Sequence, residues 1–379
     1  MLELARAGNT PHFLVDDARL SFVADLVANV TRAAYPTLEV PFHARWRHFS
    51  VGGVNREREL DAKVGRNDAS WCARTKLDLA VVSVLLDAGA GPAWSYREGG
   101  ASFTRSEGLA VASFRMFMAG AFAGDGTSLR ADADGLEALT VEKIVAGFQV
   151  TAENPLVGLE GRVALLSALG RALRARPDLF GAEGRPGGLF DVCARAKQGV
   201  TAADLLAVVL EGFAPIWPGR IEVEGQNMGD VWLYAPLAAS GESLVPFHKL
   251  SQWLTYSLIE PIEAAGVKIS DVGGLTGLPE YRNGGLFLDA GVLVPKAKNA
   301  LAKEYTPSDE FIVEWRALTI ALLDAVAPLV CERLGKSPAE FPLAKVLEGG
   351  TWAAGRKIAA EKRAGGAPPV RIISDGTVF

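Results

Sequence analysis

The sequence predicts a mainly α protein folded as one helical body over residues 1–379, with a small β-hairpin and a C-terminal strap. Two patterns carry this reading: apolar residues recur at helical spacing in segment after segment, and alternating runs of strand type are few. Size supports it, because 379 residues with 49% hydrophobic content can bury a large core. The longest Gly/Pro-rich interruption, Gly181 to Gly188, is too short for a flexible linker.

The segment from Leu77 to Asp87 keeps Leu77, Val81, Val84 and Leu85 on one helical face, and Leu109 to Phe122 and Val163 to Leu173 repeat the pattern. Thr201 followed by Asp204 resembles a capping box ahead of an apolar stripe through Leu205, Leu206, Val208, Val209 and Phe213. Arg220 to Glu224 alternates Ile221 and Val223 with charges. It is expected to pair with Gly229 to Tyr234 across the Gly225-Gln226-Asn227 turn. Thr306 is placed to cap a long helix with Pro307 at its first position and Asp309 in its first turn. Its apolar spacing runs through Ile312, Trp315, Leu318 and Leu322 until Pro328 bends or ends it. The tail from Val370 to Phe379 is β-branched and broken by Asp375-Gly376, the expected final strap.

Composition excludes several function classes. The formal net charge is -5 and no block of five or more basic residues occurs, so the long cationic surface of a nucleic-acid binder is missing. Cys72, Cys193 and Cys331 are odd in number and far apart, which argues against a disulfide framework and a thiolate zinc site. The first thirty residues are charged and no apolar run reaches spanning length, so a cytoplasmic protein without a membrane partner is expected. Nucleophile-elbow, phosphate-loop, HExxH and CxxC patterns are missing. The spacing of five between His43 and His48 does not put two imidazoles on one helical face, so no metal is expected.

Candidate site residues concentrate in LTGLPEYRNGG (275–285), where Glu280, Tyr281 and Arg282 lie between glycines. By spacing alone Glu280 is an acid in the first turn of a helix beginning at Pro279, where negative charge is mildly stabilising. Arg282 reads equally as a substrate contact and as a buried tie between helix ends. Arg74, Lys76 and Asp78 precede an apolar helix, and Asp78 is either a second carboxylate of a site or a residue on a polar helix face. The run Arg45-Trp46-Arg47-His48-Phe49 suits stacking on a planar group and pairing with an anion, or else forms a strand with one aromatic face buried. Arg105, Ser106 and Glu107 open a helix whose first amides favour an anion. Asp230 in GQNMGDVW is a spare carboxylate on the expected hairpin.

The run LTGLPEYRNGG resembles the acidic signature of the queuosine-salvage nucleoside hydrolases, roughly LTxFxDYRxPQ, in which the aspartate falls on Glu280. Those enzymes also carry a KRAQ element. Lys249-Leu250-Ser251-Gln252 is similar to it, keeping Lys249 and Gln252. Gly284-Gly285 stand where that family has Pro-Gln, and the lost amide implies a leaving group other than a queuine-like base. PFHARWRHF (41–49), RTKLDLAVVSVLLDAG (74–89), RSEGLAVASF (105–114), LTGLPEYRNGG and ISDGTVF (373–379) together resemble the uracil catabolism protein 4 family over nearly the whole chain.

The first resemblance implies an all-helical scaffold similar to DNA glycosylases and hydrolysis of the N-glycosidic bond of a ribonucleoside 5'-phosphate. The second implies a place in uracil breakdown, beside cyclohydrolase-like and uracil phosphoribosyltransferase-like enzymes. Joined, they lead to the expectation of a hydrolase that splits a ureido-ribose 5-phosphate and releases urea or a substituted urea. Glu280 would stabilise the sugar cation or activate water, and Asp78 or Asp230 would supply a proton to the leaving group. Lys249, with Arg74 or Arg105, would hold the phosphate. Tyr281, Arg282, Gln252, Arg45 and His48 complete the expected substrate contacts, and no cofactor is required. Two other readings stand beside this one: a non-catalytic subunit that delivers a labile intermediate, and a hydrolase acting on a ureide C–N bond outside the sugar.

Overall fold

The computed structural model describes residues 1–65, 68–87, 89–196, 199–218, 221–241 and 243–373. Among the described residues helix dominates, and the strands form only two-stranded pairs. The chain divides into two compact units. The first gathers Met1–His43, Asp230–Lys249 and the residues from Leu275 on, and the second gathers Ala44–Gly229 and Leu250–Gly274.

In the first unit the helix Leu20–Ala34 buries Val23, Ala24, Val27, Ala28 and Thr31, a stripe at helical spacing that packs against the helix Glu310–Leu334. Pro328 does not end that second helix. It runs on to Leu334 and stops at Gly335, whose φ of 67° is open to glycine, while the Lys336 amide closes back on the Cys331 carbonyl at 3.0 Å. Its start also differs from expectation: the Asp309 carboxylate accepts the Thr306 amide at 2.5 Å and hydroxyl at 3.0 Å, closing a turn, and the helix begins afterwards at Glu310.

The helix Tyr281–Asp289 packs on the helix Trp352–Lys362. Backbones approach closely there, since a Cβ on Gly355 would lie 2.3 Å from the Arg282 carbonyl oxygen. Gly284 is equally constrained, because a Cβ would meet the Trp315 indole at 2.6 Å and the indole Nε1 donates to the Gly284 carbonyl at 3.2 Å. Gly284 thus has a packing role. Short ladders close this unit: Phe13–Val15 runs antiparallel to Leu293–Pro295, Val231–Leu233 antiparallel to Leu244–Pro246, and Glu304–Tyr305 parallel to Arg371–Ile372. The last is the start of the expected strap. Ser374–Phe379, and with them all of ISDGTVF beyond Ile373, lie outside the described residues.

In the second unit Ala69–Leu85 is buried at every position from Leu77 to Leu85; Arg105–Met118 and Leu159–Ala175 pack on it, and Ala202–Phe213 packs on Leu159–Ala175. The capping box at Thr201 forms with Asp204 as its spacing predicts. The expected hairpin forms differently. Glu222–Val223 pairs with Gln226–Asn227, because Glu224 and Gly225 at φ of 51° and 77° supply the left-handed pair that a two-residue turn demands. Val231–Leu233 therefore finds its partner in Leu244–Pro246 instead. Arg220 lies outside the described residues. Arg45–Phe49 is a short helix and not the alternative strand, with Trp46 buried and its Nε1 donating to the Ser257 carbonyl at 2.8 Å.

Candidate functional site in the first unit

Glu280 is the N-cap of the helix Tyr281–Asp289. Its extended backbone turns the side chain onto the helix start, where Oε2 accepts the Arg282 amide at 2.8 Å and Oε1 accepts the Asn283 amide at 2.5 Å. A carboxylate accepts more bonds than these two, so the cap leaves lone pairs for chemistry. Burial raises its proton affinity above the ordinary range for glutamate, and the two amides, Lys249 and His43 oppose that rise without cancelling it. The local reading of an acid at a helix start is therefore correct in kind, but the helix begins at Tyr281, two residues later than the spacing suggests. Asn283 beside it is buried and donates to the Leu278 carbonyl at 3.0 Å, which fixes the loop that carries Glu280.

Lys249 is the first residue of the helix Lys249–Ala264, and His248 before it turns the chain with a φ of 48°. The Lys249 amide donates to Asp230 Oδ2 at 3.0 Å. Asp230 is otherwise committed to Arg316, which donates Nη1 to Oδ1 at 2.9 Å and Nη2 to Oδ2 at 2.8 Å, and to the Trp232 indole at 2.6 Å. Both partners are buried. The two-point guanidinium, the indole and the amide outweigh desolvation, so Asp230 is held well below the usual carboxylate range. It is an anchor for the start of the Lys249 helix, fully ionised and poorly suited to donating a proton. Arg282 is also buried; it donates to the Gly366 carbonyl at 2.8 Å, and its guanidinium lies 5.0 Å from the Tyr281 ring centre.

A second group of side chains converges in the same unit, and sequence reasoning passed over it. His43 Nδ1 lies 2.9 Å from Glu348 Oε2, and the Tyr35 hydroxyl donates to Glu348 Oε1 at 2.9 Å. Glu348 sits in a single π-helical turn, Leu347–Thr351, a local irregularity that is frequent at functional sites. The turn rests on the helix Leu20–Ala34, whose Thr31 and Val27 leave no room for a side chain at Gly349 or Gly350. The His43 amide bonds to the Ala344 carbonyl at 3.0 Å, so backbone and ring are fixed by one stretch of chain. The signal was there in Glu348-Gly349-Gly350 and in PFHARWRHF, but neither has a periodicity that singles it out.

The remaining predicted site residues belong to the second unit. Asp78 is fully buried: Oδ2 accepts Arg185 Nη2 at 2.7 Å, Arg185 Nε at 3.0 Å and the Ala131 amide at 3.3 Å, and Oδ1 accepts the Gly187 amide at 2.7 Å. Burial still wins, pushing its pKa up to about 6 against the opposing pull of Arg185 and the two amides. Asp78 fastens the Gly/Pro-rich segment to the helix Ala69–Leu85, which is neither the solvated face nor a carboxylate with open valences. Arg74 is paired with Asp191 at 2.9 and 2.6 Å. Arg45 is buried, donating to Ser83 at 2.7 Å and lying 3.1 Å from Asp87 and 5.5 Å from the Trp253 ring centre. His48 meets the same indole edge to face at 5.7 Å. Gln252 is buried in the helix, while Arg105 is exposed at the start of the helix Arg105–Met118 with a left-handed φ of 54°.

Among the described residues no group of three or more His, Cys, Asp and Glu is placed to hold a metal ion, and no helix is long and apolar enough to cross a membrane. The family model described as "Protein of unknown function (DUF1688)" matches residues 1–379. The chain is 44% identical over 391 residues to "Protein urg3" of Schizosaccharomyces pombe, covering 100% of this chain and 95% of the relative. It is 42% identical over 412 residues to "Uracil catabolism protein 4" of Lachancea kluyveri, covering 98% and 93%.

Proposed function

We propose that this chain, which belongs to the family described as "Protein of unknown function (DUF1688)" along its whole length, acts in uracil catabolism as an N-ribosyl hydrolase. Its substrate is a ring-opened pyrimidine still attached to ribose 5-phosphate, and its products are ribose 5-phosphate and urea or a substituted urea. The name of one relative, "Uracil catabolism protein 4", supports the pathway. The chemistry rests on Glu280, a half-buried carboxylate at a helix start with the charge of Lys249 acting on it.

Breaking a ribosyl C–N bond builds positive charge at C1' and on the ring oxygen, so an ionised carboxylate close to C1' is stabilising. Glu280 has the second role of taking a proton from the attacking water. Its raised proton affinity makes it a better base than an ordinary glutamate once it is ionised. Lys249 supplies a compact positive charge for the 5'-phosphate, and phosphate binding orients the ribose without touching the bond that breaks. Asp230 acts through Lys249, fixing its amide and hence the origin of its helix.

The test is direct: purified protein is incubated with ureido-ribose 5-phosphate, and urea and ribose 5-phosphate are measured together. Equal release of both is expected. Binding without release would replace this reading by that of a delivery subunit, and release of ammonia with the ribosyl bond intact would replace it by ureide hydrolysis.

A further inference from the structure

We propose that His43 is the proton donor to the departing nitrogen, with Glu348 and Tyr35 as the residues that position it; this deepens the hydrolase reading above and rests on it. A urea nitrogen leaves poorly as an anion, so a donor is needed, and neither predicted candidate suits the task. Asp230 has both oxygens engaged by Arg316, and Asp78 has four donors on its two oxygens.

The geometry around His43 is that of an oriented acid. Glu348 Oε2 at 2.9 Å orients the ring through Nδ1, and the proton exchanged with substrate is assigned to Nε2. Tyr35 at 2.9 Å holds the other oxygen of Glu348, so the carboxylate cannot rotate away. The π turn gives Glu348 its direction, and the two glycines after it let that turn sit against the Leu20–Ala34 helix, which leads directly into Tyr35. The turn also continues into Trp352–Lys362, the helix that packs on Tyr281–Asp289 through Gly355, so the capped end bearing Glu280 belongs to the same assembly. Glu348 acts on the ring itself, and His43 and Lys249 both contribute to the field at Glu280.

The step balances without a co-reactant. The C1'–N bond breaks and its electron pair stays on the nitrogen, which takes the proton from His43 Nε2. Water bonds to C1' and gives a proton to Glu280, and transfer of that proton through solvent to His43 restores both groups.

The experiment uses a series of ureido-ribose 5-phosphates whose terminal nitrogen carries hydrogen, phenyl or nitrophenyl, in order of increasing leaving ability. For the wild type, kcat should depend weakly on the leaving group. In His43→Gln it should fall on the order of 10²-fold or more for the unsubstituted urea, yet by less than about fivefold for the nitrophenyl urea, which departs with little protonation. Glu348→Gln should show the same trend to a smaller degree, a pattern that mere loss of structure would not produce, and it gives the readout should His43→Gln not fold. Glu280→Gln should lower all members alike. A uniform loss, or no loss, in both His43→Gln and Glu348→Gln would overturn the assignment of His43 while ribosyl hydrolysis stands. Failure of the wild type to cleave any member would overturn both.

Discussion

Asp230 and Arg316 meet through both oxygens and both terminal nitrogens, at 2.9 and 2.8 Å, and the pair fixes where the Lys249 helix begins. The same pair of residue types behaves differently at Asp78 and Arg185, where two guanidinium nitrogens reach a single oxygen. One carboxylate is held below its ordinary range and the other is pushed up to about 6: burial raises both, and at Asp230 the guanidinium, the indole and the Lys249 amide together outweigh it.

Asp230→Asn should destabilise the protein by about 3–5 kcal/mol, since it takes from the buried Arg316 guanidinium the carboxylate charge that it meets at two points. Equilibrium urea unfolding of the two proteins checks this. A change below about 1 kcal/mol would mean that the pair does little to hold the Lys249 helix.

Arg185→Ala should destabilise more at pH 8 than at pH 5. With the guanidinium gone, the folded pKa of Asp78 rises further above its unfolded value, and the native state then keeps a proton that the unfolded state releases. Stability is therefore lost as pH rises through that window, and thermal unfolding at both pH values reads the difference. Equal losses at pH 5 and pH 8 would contradict the argument.

Glu280→Gln should cut turnover by a factor on the order of 10² or more with little change in ligand affinity, because size and one amide acceptor are kept while the charge is lost. Its stability should move the other way. The folded pKa of Glu280 lies above the unfolded value, so the ionised form costs stability once the pH exceeds that window, and the variant should melt higher than the wild type near neutrality but not at pH 4. Kinetics and scanning calorimetry give the two readouts, and full turnover in the variant would remove Glu280 from the mechanism.

Lys249→Ala should weaken binding of a phosphorylated ribosyl ligand about tenfold or more, and should discriminate little against the same ligand without its phosphate. Isothermal titration with ribose 5-phosphate and ribose separates the two. Equal weakening of both would assign the lysine to Glu280 alone, consistent with the charge it already exerts there.

Sequence alone determined what is short-ranged. Helical periodicity in Leu77–Asp87, the Thr201–Asp204 cap and the helix that follows Glu280 all depend on residues within a turn or two of one another, and these formed close to their predicted places. Errors began where a local choice had two near-equal outcomes, as when the left-handed Glu224-Gly225 pair closed a tighter hairpin than the one expected. Tertiary structure decided which polar residues remain available. Asp78, Arg74 and Asp230 are occupied by partners 107, 117 and 86 positions away, and His43 gains Glu348 across 305 positions. The reason is physical: a carboxylate's proton affinity follows from burial and from the charges around it, and those neighbours are set by long-range packing that no spacing along the chain encodes.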